Sequence, residues 1–560
     1  MAKNYAQLSG KTKAAAMLTP QKEKAVKGQV KNNEGGYVFK VDDWTRLNRF
    51  LILGSEGPTY YQSAEKLTKQ NAKAVTRLIE SGEGIKVVDT VVEISDQGRA
   101  YKNGPALFVL ALCASYTAKK SKAEYATELR RYAFANLNKV ARIGTHLFEF
   151  VHYADSLRGW GKAFQKAVAN WYNEKTADKV AYQVCKYASR RLEGELAWSH
   201  RDLLRKTHLR PATAAHDTVF RYVTKGKKAF SDAEWAELKD SKELGYVWAH
   251  EEVKNAEKAS EVKALVKNYN LAQESIPTEW KKDVTVGRAL LENMPITATI
   301  RGVGKLTAND VIKPLSKEAS IVCDRITNEE LIRKGRVHPL QFLIALKTYQ
   351  SGGGFRGSLN WTPIPQVCDA LEEGFYKAFN YVEPTGKNYM LGIDVSGSMG
   401  SYRCGGADCL TAAQGAAAMA MTIARTEKNY DMKGFHHGLV DLKIKATDSL
   451  ETVLKKTGIN NWGGTDCSVP MQYAIDNKLD VDVFVVITDN DTHSGKSGHP
   501  FQVLERYRKE RNKPEAKLIV MAMTPTNFSI ANPEDPGMFD VVGFDASVPR
   551  VISEFVKGNI

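Results

Sequence analysis

Three short stretches place oxygen donors at spacings that invite a cation. LGIDVSGSMG (Leu391–Gly400) ends an apolar run at Asp394 and follows it with hydroxyls at alternate positions, Ser396 and Ser398. NWGGTDCS offers Thr465 on a Gly-rich loop, and VFVVITDND ends a second apolar run at Asp489. Together they form an all-oxygen set suited to a hard ion, Mg²⁺ or another divalent cation. Serine and threonine are uncharged donors, so the metal keeps positive charge and favours an outside oxygen ligand, a carboxylate or a phosphate. DxSxS alone is a common string that more often marks a turn. The apolar run before it, with GGTD and a strand-terminal TD following in order, raises it to a metal site. Asp491, two residues beyond Asp489, is read as supporting the loop rather than as a ligand.

A second constellation is cationic. Lys186 and Arg190 are four apart on an expected helix, so both heads leave one face. Arg201, Arg205 and His208 stand at i, i+4 and i+7, a single stripe before Pro211 ends the stretch. Two such stripes would neutralise phosphates and position a nucleic-acid backbone without reading sequence. A solvated charged face is the plainer reading of each, and for His208 a histidine hydrogen-bonded at a helix end. Tyr60 and Tyr61 could stack on bases, but paired tyrosines among helices are more often core.

Two kinds of sequence must position these groups. Up to about Phe379 the pattern is helical: in GWGKAFQKAVANWYN, Trp160, Phe164, Ala167, Val168 and Trp171 recur at helical spacing, with Lys162 and Lys166 on another face. NAKAVTRLIESGEG repeats the pattern and ends on Gly82. Many amphipathic helices in series, joined by short polar turns, suggest a solenoid of helix pairs. The Lys-rich residues 1–30 read as a flexible extension. VEPTGK (Val382–Lys387) then punctuates the chain, and strand, loop and helix alternate. NYMLGIDV, VDVFVVITD, AKLIVMAMT and MFDVVGFD read as strands, and the Ala-rich LTAAQGAAAMAMTIARTEK as a helix. That alternation implies an open parallel sheet with ligands beyond the carboxyl ends of its strands. The domains expected are therefore 1–30, 31–381 (helical) and 382–560 (α/β).

Composition narrows the function. The 560 residues exceed one ordinary domain, and 43% hydrophobic with 9% aromatic residues are those of folded chains. The formal charge of +15 is uneven: residues 1–386 carry +17 and residues 387–560 carry −2. A field of that sign attracts polyanions. No apolar run reaches 18 residues and no signal peptide precedes the helices, so no membrane association is expected. Seven scattered cysteines without CxxC spacing suit reduced thiols in a cytoplasmic protein and no structural zinc. A two-metal nuclease would want more carboxylates than Asp394 and Asp489 supply, and no phosphate-cradling GxxxxGK[ST] loop stands out.

Longer blocks carry a resemblance. NNEGGYVFKVDDWTRLNRFLILGSEGPTYY, LRGWGKAFQKAVANWYN, AWSHRDLLRKTHLRP, ALLENMPITATIRGVGKLTAND and RVHPLQFLIALKTYQSGGGFRG resemble, in order, the blocks of the TROVE module. The Asp394, Thr465 and Asp489 motifs resemble the metal-ion-dependent adhesion site of von Willebrand factor A domains. VEPTGKNYMLGIDVSGSM joins the two as in the Ro autoantigen family, closer to its bacterial and phage members than to its animal ones. The resemblance implies a mainly α ring of HEAT-like repeats followed by a doubly wound α/β A domain, without catalysis. It implies small Y-like RNAs bound on the outer surface and single-stranded 3′ ends of misfolded RNAs in the ring hole. It also implies RNA quality control or processing beside an exoribonuclease such as polynucleotide phosphorylase. The family's Y RNA contacts match Lys186, Arg190 and His208, though Arg191, Leu192 and Glu193 lengthen the turn and blur the register of the arginine. The other readings are a protein-adhesion module on a basic scaffold, which does not call for the +17, and a metal-dependent nuclease.

Overall fold

The structure is a computed structural model that describes residues 18–54, 64–188, 198–354, 358–379, 382–457, 463–493, 495 and 498–560. From Asp43 to Lys377 helices follow one another, and sequence neighbours pack as spatial neighbours. The helix Lys162–Asn173 shows why. Phe164, Ala167, Val168, Trp171 and Tyr172 share its buried face while Lys162 and Lys166 stay exposed. Starts are marked by side-chain caps: Asp42 accepts from Thr45 N at 2.7 Å, and Ser199 with Asp202 forms a capping box. Gly82, expected to stop a helix, adopts φ 97° inside a wide turn, Ile79–Glu83, and a new helix, Gly84–Asp96, follows at once. No helix among the described residues is long and apolar enough to cross a membrane.

The helical series closes on itself. Arg336, near its end, donates Nε to the carbonyl of Asp96 at 2.6 Å and pairs with the Asp96 carboxylate. Tyr101 faces His338, ring centroids 6.1 Å apart. The C-terminal domain lies against the closure: Arg99 reaches Asp545 at 2.7 Å, and Arg49 reaches Asp540 at 2.7 Å.

That domain holds a six-stranded sheet. Its strands are β3 (Asn388–Asp394), β4 (Asn429–Phe435), β5 (Leu439–Val440), β6 (Val483–Thr488), β7 (Lys517–Ala522) and β9 (Met538–Val542), in the spatial order β5-β4-β3-β6-β7-β9. All neighbours are parallel except β4 with β5. Every residue of β6 is buried, as an unalternating apolar strand requires. The chain leaves β3 toward β4 on one side and later returns to β6 on the other, so the crevice at their carboxyl ends is a topological switch point. The Ala-rich helix Ala412–Thr426 is buried at every position to Ala424. One apolar core runs from Leu291 through Phe379, across this helix and into the sheet.

The N-terminus departs from expectation. Residues 1–17 lie outside the described residues, but from Leu18 onward the segment packs on the C-terminal domain instead of standing free. β1 (Gln29–Lys31) and β2 (Tyr37–Lys40) form a hairpin, and β2 pairs with β8 (Phe528–Ser529) of that domain. Residues 18–40 therefore build on the α/β unit, and the helical series begins at Asp43. Lys22, Lys24 and Lys27 do stay exposed, but the two glutamines flanking them are buried donors: Gln21 is 0% and Gln29 2% exposed. Burial of an amide is tolerated where its hydrogen bonds are met inside.

Candidate metal centre and basic surface

Asp394 is the last residue of β3. Its Oδ1 accepts from Ser396 N at 2.9 Å and its Oδ2 from Thr488 Oγ1 at 2.6 Å. This carboxylate therefore closes the DxSxS turn and ties it to β6. Ser396 Oγ and Ser398 Oγ stand 3.3 Å apart, where the short helix Gly397–Ser401 begins. Ser398 stands near enough to Asp489, just past β6, to offset part of the pull of burial on that carboxylate. The Thr465 carbonyl accepts from His493 N at 2.9 Å, which brings the GGTD loop to the loop after Asp489. The structure thus gathers all five expected residues, and each is buried.

Two observations test whether these residues suit a cation. Thr465 Oγ1 is buried without a hydrogen-bond partner among the described residues, a costly state for a hydroxyl that has nothing to bind. Burial also pushes Asp394 up to about 6 and Asp491 up to about 7. Asp489 is held well above the ordinary carboxylate range by burial and then by the charges of Asp491 and Asp394. A divalent ion among the hydroxyls would relieve that repulsion, so the residues fit one. Among the described residues no group of three or more His, Cys, Asp or Glu is placed to hold a metal. The site accordingly depends on its hydroxyls, unlike a carboxylate-bridged two-metal centre.

A signal that motif reading passes over is the N-terminal segment, which embraces the same loops. Gln21 Nε2 donates to Asp466 Oδ1 at 2.7 Å and to the Gly498 carbonyl at 2.9 Å. Asn32 Nδ2 donates to the Thr492 carbonyl at 2.6 Å. Asn33 donates N to Asp491 Oδ1 at 2.8 Å and Nδ2 to Oδ2 at 3.1 Å. Asp491 is thus a support of the loop, held from a site some 458 residues away in sequence.

The basic residues divide. Arg201 and Arg205 are exposed on the helix His200–Thr207, and His208 is exposed at its end with φ 46°. The helix stops one residue short of His208, so the left-handed turn, rather than helical spacing, aims that ring. Lys186, on the helix Ala177–Lys186, is half-buried and donates to Tyr182 Oη at 3.1 Å. Its ammonium lies over the Tyr182 and Tyr187 rings at 5.2 and 5.6 Å. Arg190, Tyr60 and Tyr61 lie outside the described residues. A cavity of about 990 Å³ opens beside Lys186's helix, its lining mixed in charge: Arg142, Lys175, Lys179 and Lys239 face it, and so do Glu174, Asp178, Asp240 and Glu243. These residues come from the helix Ala177–Lys186, from the turn before it and from segments distant from it in sequence, which is why no short motif marks them.

Comparison with known proteins places the chain. The TROVE domain model matches residues 30–351 and the Ro60 von Willebrand factor A domain model matches residues 388–556. The chain belongs to the Ro60 family. Within that family it is 36% identical to the RNA-binding protein RO60 of Caenorhabditis elegans, over 96% of this chain and 92% of that one. It is 37% identical to the RNA-binding protein RO60 of Deinococcus radiodurans, over 97% and 98% respectively. The crystal structure of the Deinococcus radiodurans RO (RSR) protein superposes with a TM-score of 0.66 at 36% identity, covering 93% of this chain and all of that one. The helical ring followed by an A domain is therefore the family's fold. These Ro60 relatives are named for RNA binding, and the chain groups with them rather than with an enzyme family.

Proposed function

We propose that this protein is a non-catalytic RNA carrier. A small, structured Y-like RNA would lie on the outer surface along Arg201, Arg205, His208, Lys186 and Arg190. A single-stranded 3′ end of a misfolded RNA would enter the ring. The observation that carries this reading is exposed Arg201 and Arg205 on one helix, with His208 exposed in the turn that ends it, on a closed helical series within residues 1–386, which hold the +17 charge. Guanidinium groups presented on one helix face meet phosphates without base readout. The relatives' names support the RNA, and the closed series supports threading, because only a free single-stranded end can pass through a ring.

In this reading the A domain binds Mg²⁺ through Ser396, Ser398 and Thr465, with Asp394 and Asp489 completing the set. The ion would orient these loops and offer a position to an acidic group of a protein partner, such as an exoribonuclease, in the cytoplasm. Buried Thr465 Oγ1, without a partner among the described residues, supports a cation at this position.

The test is a binding titration of purified protein with a structured RNA bearing a single-stranded 3′ tail and with its blunt-ended twin, at two salt concentrations in Mg²⁺. Tail-dependent, salt-sensitive binding of intact RNA is expected. Equal binding of both RNAs removes threading, and shortening of the RNA that depends on Asp394 would reveal a nuclease instead.

A further inference from the structure

Arg46 is a buried cation without a counter-ion among the described residues. It lies on the helix Asp43–Leu53, which packs against the helix Ala64–Leu78, and it is 6% exposed. Its guanidinium donates Nη2 to Asn71 Oδ1 at 3.3 Å, a neutral partner. Asp43, one turn back on the same helix, is taken: Arg77 donates Nε and Nη2 to its two oxygens at 2.8 and 2.5 Å. Arg49, one turn on, spends its own charge on Asp540. Burial first, and then the charge of Arg77, pull the Arg46 pKa down, against the one raising charge of Asp43. A guanidinium keeps its proton nonetheless, and a buried charge left uncompensated is costly.

Two donors at this place are orphaned. Arg46 Nε and Asn71 Nδ2 are buried without a hydrogen-bond partner among the described residues, and Asn71 is 2% exposed. They flank a single contact, Nη2 to Oδ1, and that contact fixes the amide: turned over, it would set Nδ2 against Nη2, donor against donor. Both orphans are therefore N–H groups. A water accepting from them would still have two hydrogens of its own to place, whereas an anion accepts and has none. We propose that Arg46 Nε and Asn71 Nδ2 hold a small monovalent anion, of the size of chloride, as a buried counter-ion between the two helices. At 6% and 2% exposure the pair shows no face to an RNA backbone, unlike Arg201 and Arg205. The ion neutralises the one arginine of Arg46, Arg49 and Arg77 that has no carboxylate among the described residues. It does so beside Arg49, and thus braces the first helices where the ring is fastened to the A domain.

The probes are chloride and bromide on the full chain. An ion bound only by the folded state raises the melting temperature as its concentration rises. At fixed ionic strength, replacing sodium gluconate, whose anion is too large for the site, by sodium chloride should raise the melting temperature of wild type by about 2 °C or more. Arg46→Met should abolish that rise. In gluconate Arg46→Met should melt at or above wild type, because it removes an uncompensated buried charge. A guanidinium that served packing alone would leave the variant less stable in both salts alike. Crystals grown in sodium bromide should show an anomalous peak within hydrogen-bond reach of Arg46 Nε and Asn71 Nδ2. A wild-type melting temperature indifferent to chloride, an equal rise in Arg46→Met, or a water where the bromide should lie overturns the proposal. If Arg46→Met does not fold, the bromide map of wild type decides by itself.

Discussion

Arg49 Nη2 donates to both carboxylate oxygens of Asp540, each at 2.7 Å, across 491 positions of sequence. Arg49 Nη1 meanwhile donates to the carbonyls of Thr526 and Phe528 at 2.8 Å. The guanidinium side chain is 1% exposed and Asp540 15%. One buried cation therefore fastens the first helix of the ring to the edge strand of the A domain. Removing one partner leaves the other charge buried and uncompensated. Arg49→Ala should cost about 3–5 kcal/mol, read as a lower urea midpoint. The double variant Arg49→Ala/Asp540→Ala should cost less than the sum of the single changes, a coupling that a double-mutant cycle measures.

The basic stripe makes a prediction about salt. Each phosphate contact contributes roughly 0.9 to the slope of log affinity against log salt on duplex nucleic acid. Replacing Arg201 and Arg205 with alanine should lower that slope by about 1 to 2 for a structured RNA. Tail-dependent threading should survive, because neither residue belongs to the ring closure. An unchanged slope would return the stripe to a merely solvated face.

Gly36 tests how the N-terminal segment packs on the loops beyond β6. In Gly36→Ala the new methyl group meets a backbone carbonyl that cannot swing aside. The hairpin must lift, at a cost of about 1–3 kcal/mol. Limited proteolysis should then cut within residues 18–36 while the wild type resists. Equal protection of both proteins would mean that the segment does not depend on this close approach.

Buried histidines set an acid dependence. Burial holds His146, His250 and His338 neutral, each pushed down from an ordinary value of 6.5 to about 4. Unfolded, each binds a proton near pH 6.5. Between about pH 6.5 and 4 the unfolded chain therefore carries more protons, and stability falls as pH falls. Metal-free Asp394 and Asp491 act in the opposite sense, because their raised values favour the folded state at low pH. Comparing wild type with His338→Gln separates the two. Across that window the variant should show a shallower decline of its melting temperature, and parallel curves would refute the assignment to His338, whose Nδ1 accepts from Leu340 N.

The candidate metal centre was legible because each of its donors carries a local signature. Asp394 and Asp489 end apolar runs that can only be buried parallel strands, and such strands put their last residues at the open edge of the sheet. Ser396 and Ser398 come next at a spacing that the Asp394 carboxylate itself imposes through Ser396 N. The helices were legible for a similar reason, since Phe164, Val168 and Trp171 repeat with the period of a helix face. Residues 18–36 carried no such signature. Their side chains are polar and without period, and a glutamine that will be buried reads like one that will be solvated.

The sequence by itself therefore determined the features that neighbours along the chain impose on one another: helix faces, buried strands, the oxygen-bearing turns and the charge imbalance. Tertiary structure alone decided the contacts between partners hundreds of residues apart. It placed Gln21 against Asp466, Arg49 against Asp540, Arg336 against Asp96 and Glu34 against His493. It also left Thr465 Oγ1 without a partner among the described residues inside the crevice. Periodicity records which way a side chain points from its own backbone. Which group it meets is fixed only when separate elements pack and every buried polar atom must find a donor, an acceptor or an ion.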